Sequence, residues 1–414
     1  MKNVKVAGLI LGLAYIQCSM ANPEFNVSGF YSAAGAVSDA KQVTVGVLNT
    51  ATLPILAVQN ALPSFVSTVV HPEIDTYNSK PDFQQDSLVA LQGDLSFDKH
   101  FSMSLQVASL GANDWNADVE WAFLKYQFND NLAFRGGRLR IPIFMYSETV
   151  RVSYDHIWVR PPLEVYSIDP NTNFSGADLT FNTKFCDFDF ETRLYYGSLA
   201  DNFGGFANQP QILRFRQILG GYVMGGNEYA KLRVGYTEAN LSWIPTAALT
   251  QAIQTYAGLD GNLDAASDYL YNGVKASYFN TGAMFNYEGA SLIGEWIRRD
   301  SNSAGVAVQE AYYGTLSYRF CDFTPYVGYA HLNTPDKARR VYLGAFGARV
   351  NTILSAFNQD QETITAGLRY ELFENTSLKF QIDDIKALHG TTGLFTVNPM
   401  DAVMLYSAMI DMTF

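Results

Sequence analysis
The strongest constraint in this sequence is a period of two. Beyond the first two dozen residues, apolar and polar side chains alternate in about 16 segments, and that period places successive residues on opposite faces of an extended strand. Ala177, Leu179, Phe181 and Phe185 oppose Asp178, Thr180, Asn182 and Lys184. Phe188, Phe190, Leu194 and Tyr196 oppose Asp189, Glu191, Arg193 and Tyr195. The same division recurs in Tyr312 to Phe320 and in Ile364 to Leu372. In Ala117 to Phe128 the phase predicts Ala122, Leu124, Tyr126 and Phe128 on one side, with Trp121, Lys125 and Gln127 on the other.

A soluble antiparallel sheet can show such alternation, so the surroundings of the strands decide. Aromatic residues flank the tightest turns, as in Phe97-Asp-Lys-His-Phe101, Phe185-Cys-Asp-Phe188, Phe320-Cys-Asp-Phe323 and Phe373-Glu-Asn375. Longer connections alternate with them, at 38 to 84, 142 to 174, 241 to 267, 334 to 358 and 388 to 401. The chain carries 25 Tyr and 28 Phe, yet its mean hydropathy is only −0.03, as expected of strands apolar on one face and polar on the other. The final segment puts Met404, Tyr406, Ala408, Ile410, Met412 and Phe414 on one face, with Ser407, Asp411 and Thr413 on the other. Together these features predict an all-β fold, a 16-stranded antiparallel transmembrane β-barrel occupying residues 22–414 as a single domain.

Helical membrane insertion is excluded, since no apolar run of about 18 residues follows the leader. The uncharged stretch from Val43 to Val70 is interrupted by Asn49, Pro54, Gln59, Asn60 and Pro63, which predicts a loop or short broken helices. Residues 1–21 read as a secretory signal peptide: Lys2 and Lys5 precede the apolar run from Val6 to Ile16, and Ser19-Met-Ala21 supplies small residues for cleavage. The expected destination is the outer membrane.

Without that leader, 26 basic residues face 40 acidic ones, a net charge of −14, which repels nucleic acid. The two remaining cysteines, Cys186 and Cys321, fall in matching Phe-Cys-Asp-Phe turns. They are expected six strands apart, nearly 30 Å at about 4.8 Å per strand, so both should stay free thiols.

One unit departs from the regular plan. The segment 132–185 reads as strand, charged loop, strand, and its connection contains Tyr146, Glu148, Arg151, Asp155, His156, Trp158, Arg160, Glu164 and Asp169. An irregular stretch of about 30 residues is uncommon in a compact soluble domain. Inside a wide barrel it can fold inward as a constriction loop. Arg135 lies out of phase with Arg138 and Arg140, which predicts a bulge at Gly136-Gly137.

The run Gly137-Arg-Leu-Arg-Ile-Pro142, with Phe174-Ser-Gly-Ala-Asp178 after the loop, resembles the phosphate-selective porin O and P family. The resemblance in motif covers roughly residues 132–185, and the general layout matches over the mature chain. It implies a trimeric, 16-stranded porin whose third extracellular loop narrows the pore. The chain lacks that family's lysine-rich loop, so phosphate selectivity is not implied.

The expected constriction residues are Arg138, Arg140, Arg214 and Arg216 on the wall, with Glu148, Asp155 and Glu164 on the loop. Arginine facing lipid at the midplane costs about 2–4 kcal/mol, which favours the lumen. The alternative is that these arginines sit near a rim or form structural ion pairs. No nucleophile, base and orienting residue can be picked out, and His71, His100, His156, His331 and His389 are scattered, so no enzyme activity, cofactor or metal is expected. The sequence thus predicts passive diffusion of small hydrophilic solutes or ions, with outer-membrane lipid and two further subunits as partners. Alternatives are an anion-selective channel, or an outer-membrane enzyme or adhesin anchored by its barrel.

Overall fold
In the computed structural model, sixteen antiparallel strands close into one barrel. They are β1 (Glu24–Ser38), β2 (Leu88–Ser96), β3 (Phe101–Leu110), β4 (Ala117–Gln127), β5 (Leu132–Arg140), β6 (Asn173–Phe185), β7 (Phe188–Gly205) and β8 (Gln209–Gly226), then β9 (Ala230–Ile244), β10 (Asn272–Tyr287), β11 (Ala290–Ser301), β12 (Gln309–Tyr318), β13 (Phe323–Asn333), β14 (Gln361–Phe373), β15 (Thr376–Ala387) and β16 (Val403–Thr413). The structure describes residues 23–41, 43–48, 55–61, 65–66, 76–168, 173–205, 209–244, 254, 272–303, 306–335, 358–395 and 399–414. The leader at 1–21, Asp169 and most of the 241–267 and 334–358 connections lie outside these residues.

Each strand pairs with its neighbours in sequence, and β16 returns to β1 with Thr413 opposite Phe30 and Leu405 opposite Ser38. Reciprocal bonds between Gly29 and Phe414, at 2.9 and 3.0 Å, complete that seam. Closure leaves no edge among the sixteen barrel strands, so their main-chain groups are paired without water.

The barrel is apolar outside and polar inside. Leu194 and Ile364 are each 58% exposed, whereas Arg193 is 7% and Asp411 is 1% exposed. The phases read from 177–185, 188–196, 312–320, 364–372 and the last strand all hold. In β4, Leu124 and Tyr126 face outward, while Lys125 aligns with inward-facing Arg135. Aromatic side chains ring the short-turn end, where Phe185, Phe320 and Phe373 are exposed and Phe323 stacks on Tyr370 with ring centres 4.7 Å apart.

The described parts of the 43–70 region form neither a loop nor broken helices. Val43–Leu48 pairs with Ile55–Ala61, and Phe65–Val66 with Thr76–Tyr77. The β-branched residues Val43, Thr44, Val45, Val47, Ile55 and Val58 favour that extended form.

The expected bulge at Gly136-Gly137 is also absent. The ladder runs unbroken from Ala122↔Arg138 to Gln127↔Ala133 on one side of β5, and from Asn173↔Arg140 to Phe181↔Leu132 on the other. Gly137 is needed for close approach instead: a Cβ there would lie 2.3 Å from the Ala122 carbonyl oxygen, at a φ of 143°. A shift of register does occur in β8, between Arg216 and Leu219, with Gln217 at φ 52°.

Candidate functional site
The connection between β5 and β6 enters the barrel and is pinned there. Its apolar residues Ile141, Ile143, Phe144, Trp158, Val165 and Ile168 join one buried cluster with the wall residues Leu139, Phe174, Tyr195 and Tyr313. The loop is therefore packed like a protein core rather than hanging in the lumen.

Polar anchors arrive from most of the circumference. Arg233 on β9 donates to the carbonyls of Pro142 and Ile143, and Asn280 on β10 donates to the Ile143 carbonyl at 2.6 Å. Glu295 on β11 accepts from the Met145 backbone at 2.8 Å and from the Tyr166 and Tyr313 hydroxyls at 2.6 and 2.8 Å. Trp158 donates its indole N–H to Thr315 on β12 at 3.2 Å. Arg369 on β14 reaches the carbonyls of Tyr154 and His156. Lys379 on β15 reaches those of Ser153, His156 and Trp158. Arg160 leaves the loop to pair with Asp86 at 2.7 Å and Asp383 at 3.4 Å. A hydrogen bond to a charged group is worth about 1.5–3 kcal/mol net, so the set holds one loop geometry.

Glu148 is the loop carboxylate that two wall arginines reach. It lies 3.0 Å from Arg135 on β5 and 2.7 Å from Arg193 on β7, and Arg135 also grips Asp178 at 2.5 Å. Burial alone would raise the Glu148 carboxyl, but Arg193 and Arg135 outweigh it and hold the group below the usual carboxylate range. Glu164 has no cation partner among the described residues. It accepts from Gln361 at 2.6 Å and from Thr363, and its burial pushes the carboxyl up. Asp155 is exposed at the loop's underside, where it lines a cavity of about 530 Å³ with Tyr146, His156, Trp158, Tyr229 and Arg319. His156 is held down to about 3, first by burial and then by Lys379, and is neutral.

Of the wall arginines chosen from sequence, Arg140 touches this group, donating to the Glu148 backbone carbonyl at 3.3 Å, and the other three do not. Arg138 aligns with Ala122 and Ser175, on the side of Leu124 and Phe134, and bonds the Val119 carbonyl at 2.8 Å. Arg140 is buried at the strand end against Glu120 at 2.7 Å, with Arg151 on the other Glu120 oxygen at 3.1 Å, a structural ion-pair cluster. Arg214 and Arg216 share one face, as expected, but it is the outer one. Phe215 between them packs inward, 4% exposed, opposite the equally buried Leu241. The shift at Gln217 reverses the phase of β8, so that Tyr222 points inward below it and Phe215 above it. The sequence reading missed Arg135, Arg193, Arg233, Arg369 and Lys379 as loop anchors. Their signal was available in the polar phase of the strands, where Arg193 and Arg369 stand opposite outward Leu194 and Leu368.

The anchors leave one sector of the wall to solvent. Gln92 and Asp94 on β2, Ser104 on β3 and Lys125 on β4 face inward and stay half-buried, with Asp94 bonded to Ser104 at 2.5 Å and to Gln92 at 2.8 Å.

No family model and no curated protein matches this sequence. Solved structures do. The outer membrane channel DcaP of Acinetobacter baumannii is 9% identical with a TM-score of 0.55, over 96% of this chain and 99% of that one. An anion-selective porin from Comamonas acidovorans is 12% identical with a TM-score of 0.55, over 95% and 100% of the two chains. OprB of Pseudomonas putida is 10% identical with a TM-score of 0.54, over 94% of each. At these identities the likeness is one of fold, a closed barrel of the kind found in outer-membrane porins.

Proposed function
We propose that the chain is an outer-membrane channel through which small hydrophilic solutes or ions diffuse passively, not an enzyme. One observation carries the reading: an inside-out barrel whose lumen is narrowed by a pinned loop presenting charges, with a half-buried polar sector beside it. The apolar outer face suits hydrocarbon, and the charged interior suits water and ions. The path runs between the loop and the inner faces of β2 to β5, past Asp94, Lys125, Arg135 and Glu148. There, fixed charges of both signs replace part of a solute's hydration. Assembly as a homotrimer and export through the leader belong to the same proposal.

Planar-bilayer recording tests it. Purified protein should give stepwise conductance that grows with salt concentration. A protein that inserts and yields no open channel would make the barrel a filled anchor for an enzyme or adhesin.

A further inference from the structure
The outward-facing Arg214 and Arg216 have no role in the lumen, and their surroundings give them another. Arg216 aligns with Asn240 on β9, which aligns with Lys275 on β10, so one row crosses three strands. Arg214 stands one outward position further from the short turns, opposite Ser242. Below this row, past Glu238 on β9 and Ser277 on β10, the outer surface is apolar: Leu219 and Val223 on β8, Leu232, Val234 and Tyr236 on β9, Phe279 and Phe285 on β10, all exposed.

The row thus lies just beyond the edge of the apolar band, where charge is tolerated at a cost of about 0–1 kcal/mol rather than the larger midplane penalty. Other outward cations carry acids. Arg298 pairs with Asp300 at 3.3 Å and with Glu310, and Lys386 lies 4.0 Å from Glu362. Lys275 pairs with Glu238 at 2.7 Å. Arg214 and Arg216 have no ion-pair partner among the described residues, so this sector carries a local positive surplus on a chain whose net charge is −12.

We propose that Arg214, Arg216 and Lys275 form an outward-facing site for the phosphate of an anionic lipid headgroup. Guanidinium groups present a fork of donors matched to phosphate oxygens, and the head groups of the surrounding leaflet lie at this height. The site rests on the reading of the barrel as membrane-inserted. It takes lipid phosphate rather than free phosphate because the apolar surface that begins at Leu219, beneath Arg216, receives the acyl chains.

The test uses the full-length protein in a neutral maltoside detergent, with phosphatidic acid and phosphatidylcholine of identical chains as probes and native mass spectrometry as the readout. The wild type should prefer phosphatidic acid, and Arg214→Gln with Arg216→Gln should weaken that preference about tenfold or more. Glu238→Gln, which frees Lys275, should strengthen it and decides the matter should the double variant fail to fold. Equal binding of the two lipids by the wild type, or an unchanged preference in the variants, overturns the proposal. Displacement of phosphatidic acid by millimolar inorganic phosphate overturns the lipid as occupant. A barrel that conducts yet shows no preference removes this site alone, whereas one that fails to insert removes the membrane reading as well.

Discussion

The Lys379 ammonium lies 3.1 Å from the Asp411 carboxylate, both side chains essentially sealed from solvent, and the same nitrogen serves three carbonyls of the inward loop. Wall and loop therefore share one buried cation. Lys379→Met should destabilise the protein by about 3–5 kcal/mol, because it leaves a buried anion unpaired and strips the loop of an anchor. Adding Asp411→Asn should recover much of that loss. Denaturant unfolding of the vesicle-inserted protein checks both, and equal stability of wild type and single variant would show that the cation anchors nothing.

Glu148 neutralises Arg135 and Arg193 at the loop's edge. Glu148→Gln should make the channel more anion-selective, read as a shift of reversal potential under a salt gradient. The carboxyl is held low in the folded protein, so its stabilising pairing is complete above the ordinary carboxylate pKa and disappears only as pH falls through the lowered value. Selectivity should accordingly be flat between about pH 5 and 8, all of it above the ordinary glutamate value of about 4.3. A steep change near neutrality would place another group at the constriction.

Reversing Arg214 and Arg216 to glutamate should leave ion selectivity unchanged, since both lie outside the barrel, whereas Arg193→Glu should shift it toward cations. Equal shifts would mean that overall charge, rather than the wall of the lumen, sets the preference.

These contrasts show which parts of the molecule the sequence made legible. Strand phase was readable wherever a segment stayed in one register, as in Ala177 to Phe185, because Leu179 and Phe181 could face only hydrocarbon once Asp178 and Thr180 faced inward. The Phe-Cys-Asp-Phe turns were equally local. The arginines at 214 and 216 were misplaced because a shift at Gln217, a residue with nothing distinctive beside it, inverts the phase. The ties of Lys379 to Ser153 and of Arg160 to Asp383 span more than half the chain, and no local pattern announces such pairs.

Cys186 and Cys321 are exposed free thiols in turns between β6 and β7 and between β12 and β13. Both should react with a small maleimide in the native protein, to a mass increase of two labels. An intramolecular disulfide between them is incompatible with the strand order.

Ser32 on β1 and Ser153 on the loop are 3.1 Å apart through their hydroxyls. In a background lacking the native cysteines, Ser32→Cys with Ser153→Cys should oxidise to a bridge, since the side-chain separation suits one. Because the loop is already fixed, conductance should be the same before and after reduction. A reversible change in current would show that the loop moves during conduction.

The reciprocal bonds between Gly29 and Phe414 also bear on how the molecule comes into being. They join the two strands most distant along the chain, so the ring cannot shut until β16 has arrived, and every shorter assembly carries two raw edges. Such edges invite pairing with another chain, and contacts of this sequence separation form slowly. The barrel must be kept apart from its own kind until its last strand docks, which makes the arrival of β16 the committing step of folding.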